Sequence, residues 1–325
     1  MSIDPKFLNL FVKATEKAAI GASKFVGKSD KIAADKAAVD PMRSELNKIN
    51  MVGTIVIGEG EMDEAPMLYI GERLGTLNGP QFDIAVDPLE GTKFTANNQP
   101  NAFSVLAVAK KGDLLSAPDT YMEKIAIGAN YPNNLLDLDN GVEKNIQLLA
   151  KEKNKKISEI RACVLKRPRH DHIVEVLNKM GVKINYITDG DIAGVLTVIG
   201  ENPKNDIYYS TGGGPEGVLA AAALSCYGGQ IQGRLVLDDE EKIRAKKLGI
   251  KDFNKKYNIN DMIKGDVIFC ASGVTSGELT KGVKDLGKKY EVSTFVLHKS
   301  KKINKIVTNI YNKWVSSHSA IKNGP

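Results

Sequence analysis

The second half of the chain alternates short apolar strands with helical segments, and this alternation restricts the fold more than any other feature. Strands are predicted at 162–165, 183–187, 207–209 and 267–270, with helices at 171–180, from about 192, and at 215–227. Alternation of this kind is typical of a layered α/β domain. We therefore expect an α/β fold from about Arg161 onward.

The first half follows a different pattern, in which helices accompany a sheet that is at least partly antiparallel. Helical spacing covers 6–26, and a second helix is predicted from about Ile32, where Pro41 should kink it or start a new helix. Strands are predicted at 54–57 and 82–86, and a hairpin is predicted around 111–113. This half is therefore expected to be α+β.

The length of 325 residues predicts about two domains. The lysine-rich stretch 151–156 is the best candidate for the boundary between them. We therefore expect two units, 1–160 and 161–325, joined in one layered fold.

Composition and charge exclude several classes of protein. The net charge of +6 lies in lysine-rich runs that lack interleaved aromatic residues and arginine clusters, so they indicate a solvated surface and no nucleic-acid partner. Three scattered cysteines argue against a disulfide framework or a zinc site and favour a reducing compartment. An apolar run long enough to span a membrane is missing, and the N-terminal apolar stretch indicates a helix, not a signal peptide. We expect a cytoplasmic protein with no membrane partner.

Acidic residues gather at the ends of two predicted strands. Asp87 and Glu90 share one corner after the strand at 82–86, where like charges repel unless a cation lies between them. Oxygen ligands suit Mg²⁺ or Mn²⁺. Gly91 would let the backbone approach a ligand, and Thr92 offers a hydroxyl and a helix-start amide. A second acidic group has the alternative interpretation of an ordinary capped helix: Glu59, Glu61, Asp63 and Glu64.

A glycine-rich segment at 210–217 is expected to join a strand to a helix and to bind phosphate through backbone amides, with a tight strand-to-helix turn as the alternative. It lacks the ending of a P-loop, which argues against ATP or GTP hydrolysis. An acidic side chain beside bound phosphate is unfavourable unless a cation bridges the two. Glu216 therefore indicates metal together with phosphate.

Two further segments follow predicted strands. Arg167 and Arg169 suit bidentate phosphate binding, with an exposed turn as the alternative. Asp189 and Asp191 flank a glycine and could accept hydrogen bonds from sugar hydroxyls, with a turn and helix cap as the alternative. No metal-binding role is expected for His170.

The sequence resembles the class II fructose-1,6-bisphosphatases, a branch of the metal-dependent, lithium-sensitive sugar and inositol phosphatases. The resemblance is carried by 53–61 (GTIVIGEGE), 63–71 (DEAPMLYIG), 83–92 (DIAVDPLEGT), 117–124 (APDTYMEK), 167–171 (RPRHD), 189–191 (DGD) and 213–217 (GGPEG). It implies a two-domain sugar-phosphatase fold and hydrolysis of the 1-phosphate of fructose 1,6-bisphosphate in gluconeogenesis. It also implies Mn²⁺ or Mg²⁺ dependence and a homo-oligomer, a homodimer or homotetramer.

The resemblance also implies roles for individual residues. The metal ligands would be Asp35, Glu59, Asp87, Glu90 and Glu216. The substrate contacts would be Glu90, Gly91, Thr92, Tyr121, Arg167, Pro168, Arg169, Asp189, Gly190, Asp191 and Gly213. The residues that matter for turnover would be Lys31, Asp63 and Thr92. The first unit would then carry the metal site, and the second would bind substrate and contribute Glu216.

Several alternatives stay open at this point. The nucleophile is either a metal-bound water activated through Thr92 and a carboxylate, or the Thr92 hydroxyl itself, and we favour Thr92 as an activating hydroxyl because a free threonine is a poor nucleophile. Sedoheptulose 1,7-bisphosphate, inositol phosphates and 3′-phosphoadenosine nucleotides are rival substrates. A phosphate-binding regulator without catalysis and an RNA-binding protein are the rivals from other classes.

Overall fold

The computed structural model describes residues 2–58 and 67–313. Its α-helices are α1 (Leu8–Ser23), α2 (Lys31–Leu46), α3 (Thr92–Ala96), α4 (Gly141–Glu152), α5 (Asp171–Lys179), α6 (Asp191–Leu196), α7 (Gly214–Tyr227), α8 (Asp239–Lys247) and α9 (Ile259–Met262). Its strands are β1 (Val52–Ile57), β2 (Arg73–Leu74), β3 (Gln81–Glu90), β4 (Phe103–Lys110), β5 (Tyr121–Ile127), β6 (Arg161–Leu165), β7 (Lys183–Ile187), β8 (Ile207–Gly213), β9 (Gln230–Val236), β10 (Lys256–Asn258), β11 (Val267–Gly273), β12 (Lys284–Asp285), β13 (Lys289–His298) and β14 (Ile303–Asn312).

The described strands form two sheets. The first has the order β12-β13-β11-β4-β3-β1-β2, with β14 paired to β13, and is antiparallel except for the β1–β3 pair. The second has the order β10-β9-β5-β8-β6-β7. Only β6 pairs in parallel there, with β7 and β8, as the βαβ pattern of the sequence predicts.

The two sheets pack against one central helix. Helix α7 contacts β3, β4 and β11 on one side and β5, β8 and β9 on the other. Its middle, from Val218 to Leu224, is fully buried. A helix that is apolar all round belongs in a core, and its run of alanines lets both sheets come close. Helices α1 and α2 cover the outer face of the first sheet, while α4 and α5 cover that of the second, which gives five layers.

The sheets do not follow two consecutive halves of the chain. Strand β5 belongs to the second sheet although it precedes the lysine-rich stretch, and β11 to β14 return to the first sheet. The division into units 1–160 and 161–325 stays a prediction. The layered α/β architecture itself is confirmed.

Helix α2 runs without a break through Pro41, so the predicted new helix start is wrong, while the alternative of a kink at Pro41 stays a prediction. Proline has no amide hydrogen to donate to the carbonyl four residues earlier, that of Ala37. This carbonyl faces Gly21 of α1, where a Cβ atom would lie 1.9 Å from the oxygen. The missing side chain at Gly21 therefore lets α1 pack directly on α2 at the point where the helical hydrogen bond is lost.

Among the described residues, no helix is both long enough and apolar enough to cross a lipid bilayer.

Candidate metal centre and substrate site

A bulge in β3 brings two carboxylates to the same side of the sheet. The strand continues to Glu90 and does not end at Val86 as predicted. Asp87 pairs with Val105 and Glu90 with Phe103, so three steps along β3 match two along β4. In a regular strand, residues three apart point to opposite faces, and one extra residue reverses this. The bulge therefore places Asp87 and Glu90 together.

Gly91 turns the chain from β3 into α3. Its φ of 79° lies in the left-handed region, which glycine adopts without strain. Thr92 is then the first residue of the helix, and Gly91, not Thr92, is the capping residue. Thr92 lines the same cavity as Asp87 and Glu216 and does not serve as the helix cap.

Glu216 completes a cluster of three carboxylates. It lies in the first turn of α7, and ligand atoms of Asp87, Glu90 and Glu216 all lie within 4.8 Å of one another. Burial raises the pKa of Glu90 well above its ordinary value, and the charges of Asp87 and Glu216 raise it further. Burial also raises the pKa of Glu216, against the opposing charge of Lys124. Without a cation, this cluster is electrostatically unfavourable.

The cluster fits a hard divalent cation. All donors are carboxylate oxygens, which are the ligands that Mg²⁺ and Mn²⁺ prefer. The Oε2 atom of Glu216 is buried and has no hydrogen-bond partner among the described residues. A buried, unpartnered carboxylate oxygen is unfavourable unless an ion takes it up. The residues present are therefore suited to hold a metal.

The glycine-rich segment serves a purpose that the sequence did not indicate. Strand β8 runs to Gly213 and α7 begins at Gly214, so no loop separates them, and the predicted strand 207–209 was too short. A Cβ atom at Gly212 would lie 2.1 Å from Oδ2 of Asp191, and one at Gly213 would lie 1.7 Å from Oε2 of Glu216. These glycines make room for two carboxylates.

A cavity of about 470 Å³ opens beside the carboxylate cluster. Helix α2 contributes Lys31 and the buried Asp35, and α3 contributes Thr92. The cavity is lined by Lys31, Ile32, Asp35, Gly58, Met67, Val86, Asp87, Thr92, Asp119, Pro215 and Glu216. Four of the five predicted metal ligands thus lie in one region. The fifth, Glu59, and the predicted catalytic Asp63 lie outside the described residues. Gly58 and Met67, the described residues on either side of that stretch of sequence, line this cavity.

The predicted phosphate-binding residues form a second group. The guanidinium of Arg169 donates two hydrogen bonds to the carbonyl of Thr211, from Nε at 3.0 Å and Nη2 at 2.8 Å. It also lies over the half-exposed ring of Tyr121, 4.5 Å from the ring centroid. Tyr121 pairs with Gly213 across the sheet. This group therefore reaches the carboxylate cluster through the last residues of β8.

Arg167 stands next to this group at the start of the turn Pro168–His170. Its Nη1 donates to the carbonyl of Thr188, and its Nη2 lies 3.7 Å from Oδ1 of Asp189. Asp189 and Gly190 also line a different cavity, of about 560 Å³, behind α3. That cavity is larger than the one beside the carboxylates and contains none of the predicted metal ligands among its lining residues.

Asp189 and Asp191 do not form the pair that the sequence suggested. Gly190, with φ of 76°, turns the chain between them. Asp189 lies near Arg167, whereas Asp191 is buried and accepts hydrogen bonds from Lys124 and from the hydroxyl of Tyr208. Glu90 accepts a hydrogen bond from the backbone N–H of Ile192, 2.9 Å away. The start of α6 is thus attached to the carboxylate cluster.

Lys124 is a site residue that sequence reasoning missed. It is fully buried, and its ammonium group donates to Asp191 and to the carbonyl of Gly213, at 2.6 Å for the latter. It therefore places a positive charge between Asp191 and Glu216. The segment 117–124 carries part of the family resemblance, and the lysine at its end was the available signal.

A family comparison covers nearly the whole chain. The profile of the family described as "Bacterial fructose-1,6-bisphosphatase, glpX-encoded" matches residues 6–311. The class 2 fructose-1,6-bisphosphatase of Haemophilus influenzae is 41% identical over 312 residues, covering 91% of this chain and 93% of that protein. Fructose-1,6-bisphosphatase 1 class 2 of Escherichia coli is also 41% identical over 312 residues, covering 91% of this chain and 92% of that protein.

Solved structures give a weaker likeness. An inositol monophosphatase from Anabaena (Nostoc) has a TM-score of 0.37 at 14% identity, covering 70% of this chain and 83% of that one. The extragenic suppressor protein suhB of Bartonella henselae has a TM-score of 0.34 at 15% identity, covering 63% of this chain and 77% of that one.

Proposed function

The chain belongs to the family of glpX-encoded bacterial fructose-1,6-bisphosphatases, and from this premise we propose that it hydrolyses the 1-phosphate of fructose 1,6-bisphosphate with Mn²⁺ or Mg²⁺ as cofactor. The products are fructose 6-phosphate and inorganic phosphate. The observation that carries the proposal is the convergence of Asp87, Glu90 and Glu216 within 4.8 Å, beside a cavity that Thr92 also lines.

The carboxylate cluster would hold the metal, with Asp35 as a further ligand and Glu59 as the ligand inferred from the resemblance alone. A divalent cation bound there supplies positive charge against the phosphoryl oxygens in the transition state. The chain's own contribution is to hold several carboxylates close together in a largely buried place. The bulge in β3 and the absent side chains at Gly212 and Gly213 make this possible.

The second group would bind the rest of the substrate. Arg167 and Arg169 would hold the phosphate that is not cleaved, with Tyr121 supporting the guanidinium of Arg169. Asp191 would accept a hydrogen bond from a sugar hydroxyl, and Asp189, Gly190 and Gly213 would shape the pocket around it. An arginine pair suits a phosphate because its planar donors match the oxygen geometry.

Thr92 is assigned to the reaction step. Its hydroxyl stands at the start of α3 in the cavity and is not the helix cap, which removes the simplest structural explanation for it. We favour a polarised hydroxyl that orients the attacking water over a threonine nucleophile. Lys31 lines the same cavity and would neutralise negative charge on the phosphoryl group that is transferred to water. Asp63 stays a candidate base on the resemblance alone.

The test is phosphate release from fructose 1,6-bisphosphate with Mn²⁺, with Mg²⁺ and after chelation. Metal-dependent release that is lost in Glu216→Gln supports the proposal. Binding of Mn²⁺ alone, measured by calorimetry, should weaken in the same variant, which gives a readout independent of activity. Turnover that survives chelation would contradict the proposal.

A substrate panel separates the related activities. Sedoheptulose 1,7-bisphosphate, inositol 1-phosphate and a 3′-phosphoadenosine nucleotide should each be hydrolysed less efficiently than fructose 1,6-bisphosphate. A higher kcat/KM for any of them would reassign the substrate. Binding of fructose 1,6-bisphosphate without phosphate release would instead support a regulator.

The assembly and the location are further parts of the proposal. We infer a homodimer or homotetramer from the family resemblance, and sedimentation analysis tests it. A cytoplasmic location agrees with three cysteines that are all free. Fractionation of the native host tests the location.

A further inference from the structure

His170 is a buried histidine whose two ring nitrogens both contact backbone groups. Its side chain has no solvent exposure. Nδ1 lies 2.7 Å from the carbonyl oxygen of Leu165, and the backbone N–H of Thr211 donates to Nε2 at 2.8 Å. The ring therefore connects the end of β6 to the last residues of β8. His170 directly follows Arg169 in the chain.

The two contacts define the protonation state of the ring. A carbonyl oxygen can only accept, so Nδ1 must carry the hydrogen, and a backbone N–H can only donate, so Nε2 must be the acceptor. Only the neutral imidazole with hydrogen on Nδ1 satisfies both. A second proton would turn Nε2 into a donor that faces the N–H of Thr211, and the connection to β8 would be lost.

The ring of His170 supplies a hydrogen bond beyond the point where the backbone pairing of β6 with β8 ends. Strands β6 and β8 pair through Ala162 with Ile207 and through Cys163 with Tyr208. Beyond this point, the backbone N–H of Leu165 donates to the hydroxyl of Ser210 at 2.8 Å, and His170 accepts the N–H of Thr211. Side chains thus replace the missing ladder along the last residues of β8.

Both polar backbone groups of Thr211 form hydrogen bonds with neighbouring side chains. His170 accepts its N–H, and Arg169 donates to its carbonyl from two nitrogens. Gly213, which ends the strand, follows two residues later. Displacing His170 should therefore shift the guanidinium of Arg169 as well as the strand end, because both depend on the same residue.

We propose that His170 is the positioning residue for the phosphate-binding turn: its neutral ring fixes β8 to β6 and so holds Arg169 in place. This inference rests on the proposed function only for the identity of the ligand. His170 touches neither the phosphate nor the metal, and it acts through the backbone of Thr211.

The surroundings of the ring favour its neutral form. Burial lowers the pKa of His170, and the nearby charge of Arg169 lowers it further, against the hydrogen bond that Nδ1 donates to the carbonyl of Leu165. Strands β6 and β8 meet the ring through these backbone groups, while the charged and titratable neighbours come from its own turn and α5. The connection is therefore complete at neutral pH and is lost only in acid.

Two variants and one matched control test the proposal. His170→Phe keeps a ring but loses both hydrogen bonds, and His170→Gln keeps an uncharged acceptor for the N–H of Thr211. Because the remote phosphate is bound alike in the ground and transition states, we expect KM for fructose 1,6-bisphosphate to rise about fivefold to tenfold in the Phe variant, with kcat within about twofold. The Gln variant should lie between Phe and wild type. His172→Gln, an exposed histidine two residues away, should match wild type.

Calorimetry with Mn²⁺ alone should give the same affinity in all four proteins. A joint loss of Mn²⁺ binding would mean a general disruption of the site and would overturn the specific role of His170. An unchanged KM in a folded His170→Phe variant would overturn it too. A rise in KM for Arg169→Ala without one for His170→Phe would contradict the positioning role of His170 and leave the proposed function intact.

The ring itself gives a readout that does not need activity. In ¹H–¹⁵N spectra of the imidazoles, the signal lost in His170→Gln should show hydrogen on Nδ1 and should be mostly neutral at pH 6.5, the ordinary pKa of a histidine. A ring with hydrogen on Nε2, or one that is half or more protonated at that pH, would contradict the assignment. In activity profiles, the rise of KM in acid should be steeper in wild type than in His170→Gln, since protonation of the substrate phosphate affects both equally.

Discussion

A single carboxylate, Asp266, and a cluster of three, Asp87, Glu90 and Glu216, have opposite surroundings in this protein. Asp266, which directly precedes β11 in the first sheet, accepts hydrogen bonds from the backbone N–H groups of Ile3, Val267 and Ser300 and from the side chains of His298 and Ser300. In the site, Asp87, Glu90 and Glu216 face one another, and Oε2 of Glu216 has no hydrogen-bond partner among the described residues.

The pKa values move in opposite directions for this reason. Burial alone would raise the pKa of Asp266, but its donors outweigh burial and lower the pKa to about 2. Burial and neighbouring negative charge raise the pKa of Glu90. A carboxylate surrounded by donors stabilises the fold, whereas carboxylates that face each other weaken it until a cation binds. The comparison thus separates a carboxylate that stabilises the fold from a cluster that is suited to hold a cation.

Replacing Glu90 should give the largest effect. Glu90→Gln removes one negative charge from the cluster, and we expect turnover to fall by at least about a hundredfold because the metal is no longer held correctly. The metal-free protein should unfold at the same or a higher temperature near pH 7. Thermal unfolding with and without Mn²⁺, alongside phosphate release, checks both statements. Activity within about tenfold of wild type would break the comparison.

Thr92 should give the next largest effect. Thr92→Ala removes the hydroxyl of a residue that lines the cavity beside the carboxylates, so kcat should fall by about a hundredfold while Mn²⁺ affinity stays the same. Because Gly91 is the capping residue, the free energy of unfolding should hardly change. Thr92→Ser, which keeps the hydroxyl, should retain measurable turnover. A nearly normal kcat in the Ala variant would remove Thr92 from the reaction.

The sequence predicted which acidic residues come together, but it did not predict the long-range contacts around them. Asp87, Glu90 and Glu216 were predicted as cation ligands because acidic residues at strand ends and beside glycines are readable motifs. The contact between Lys124 and Asp191 was not predicted, because Lys124 lies on β5 and Asp191 begins α6, 67 residues later in the chain. His170 was expected to have no metal-binding role because no Cys or His lies at ligand spacing, and its contacts with backbone groups give no signal in the sequence.

Arg169 should give an effect confined to one kind of substrate. Unlike the cluster, this side chain acts as a donor, and it would hold the phosphate that is not cleaved. Arg169→Ala should raise KM for fructose 1,6-bisphosphate by about tenfold or more, since a hydrogen bond to a charged group is lost. Fructose 1-phosphate, which lacks that phosphate, should be hydrolysed equally by variant and wild type. An equal loss for both substrates would move Arg169 to the reacting phosphate.

Asp266 should give the smallest effect, on stability alone. Its folded pKa of about 2 lies below the ordinary value of 3.8, so its contribution is fully present above about pH 4 and is lost as pH falls through 2. That difference corresponds to a loss on the order of 2 kcal/mol in the free energy of unfolding for Asp266→Asn at neutral pH. In denaturant unfolding, the difference in the free energy of unfolding between variant and wild type should shrink between pH 4 and pH 2. Turnover at neutral pH should be the same in both proteins. Asp83→Asn is the matched control: burial raises the pKa of Asp83, so wild type should gain stability relative to this variant as pH falls, the opposite direction from Asp266→Asn. A gap for Asp266→Asn that stays constant with pH would show that its hydrogen bonds do not depend on its charge, and the contrast with the metal site would then rest on geometry alone.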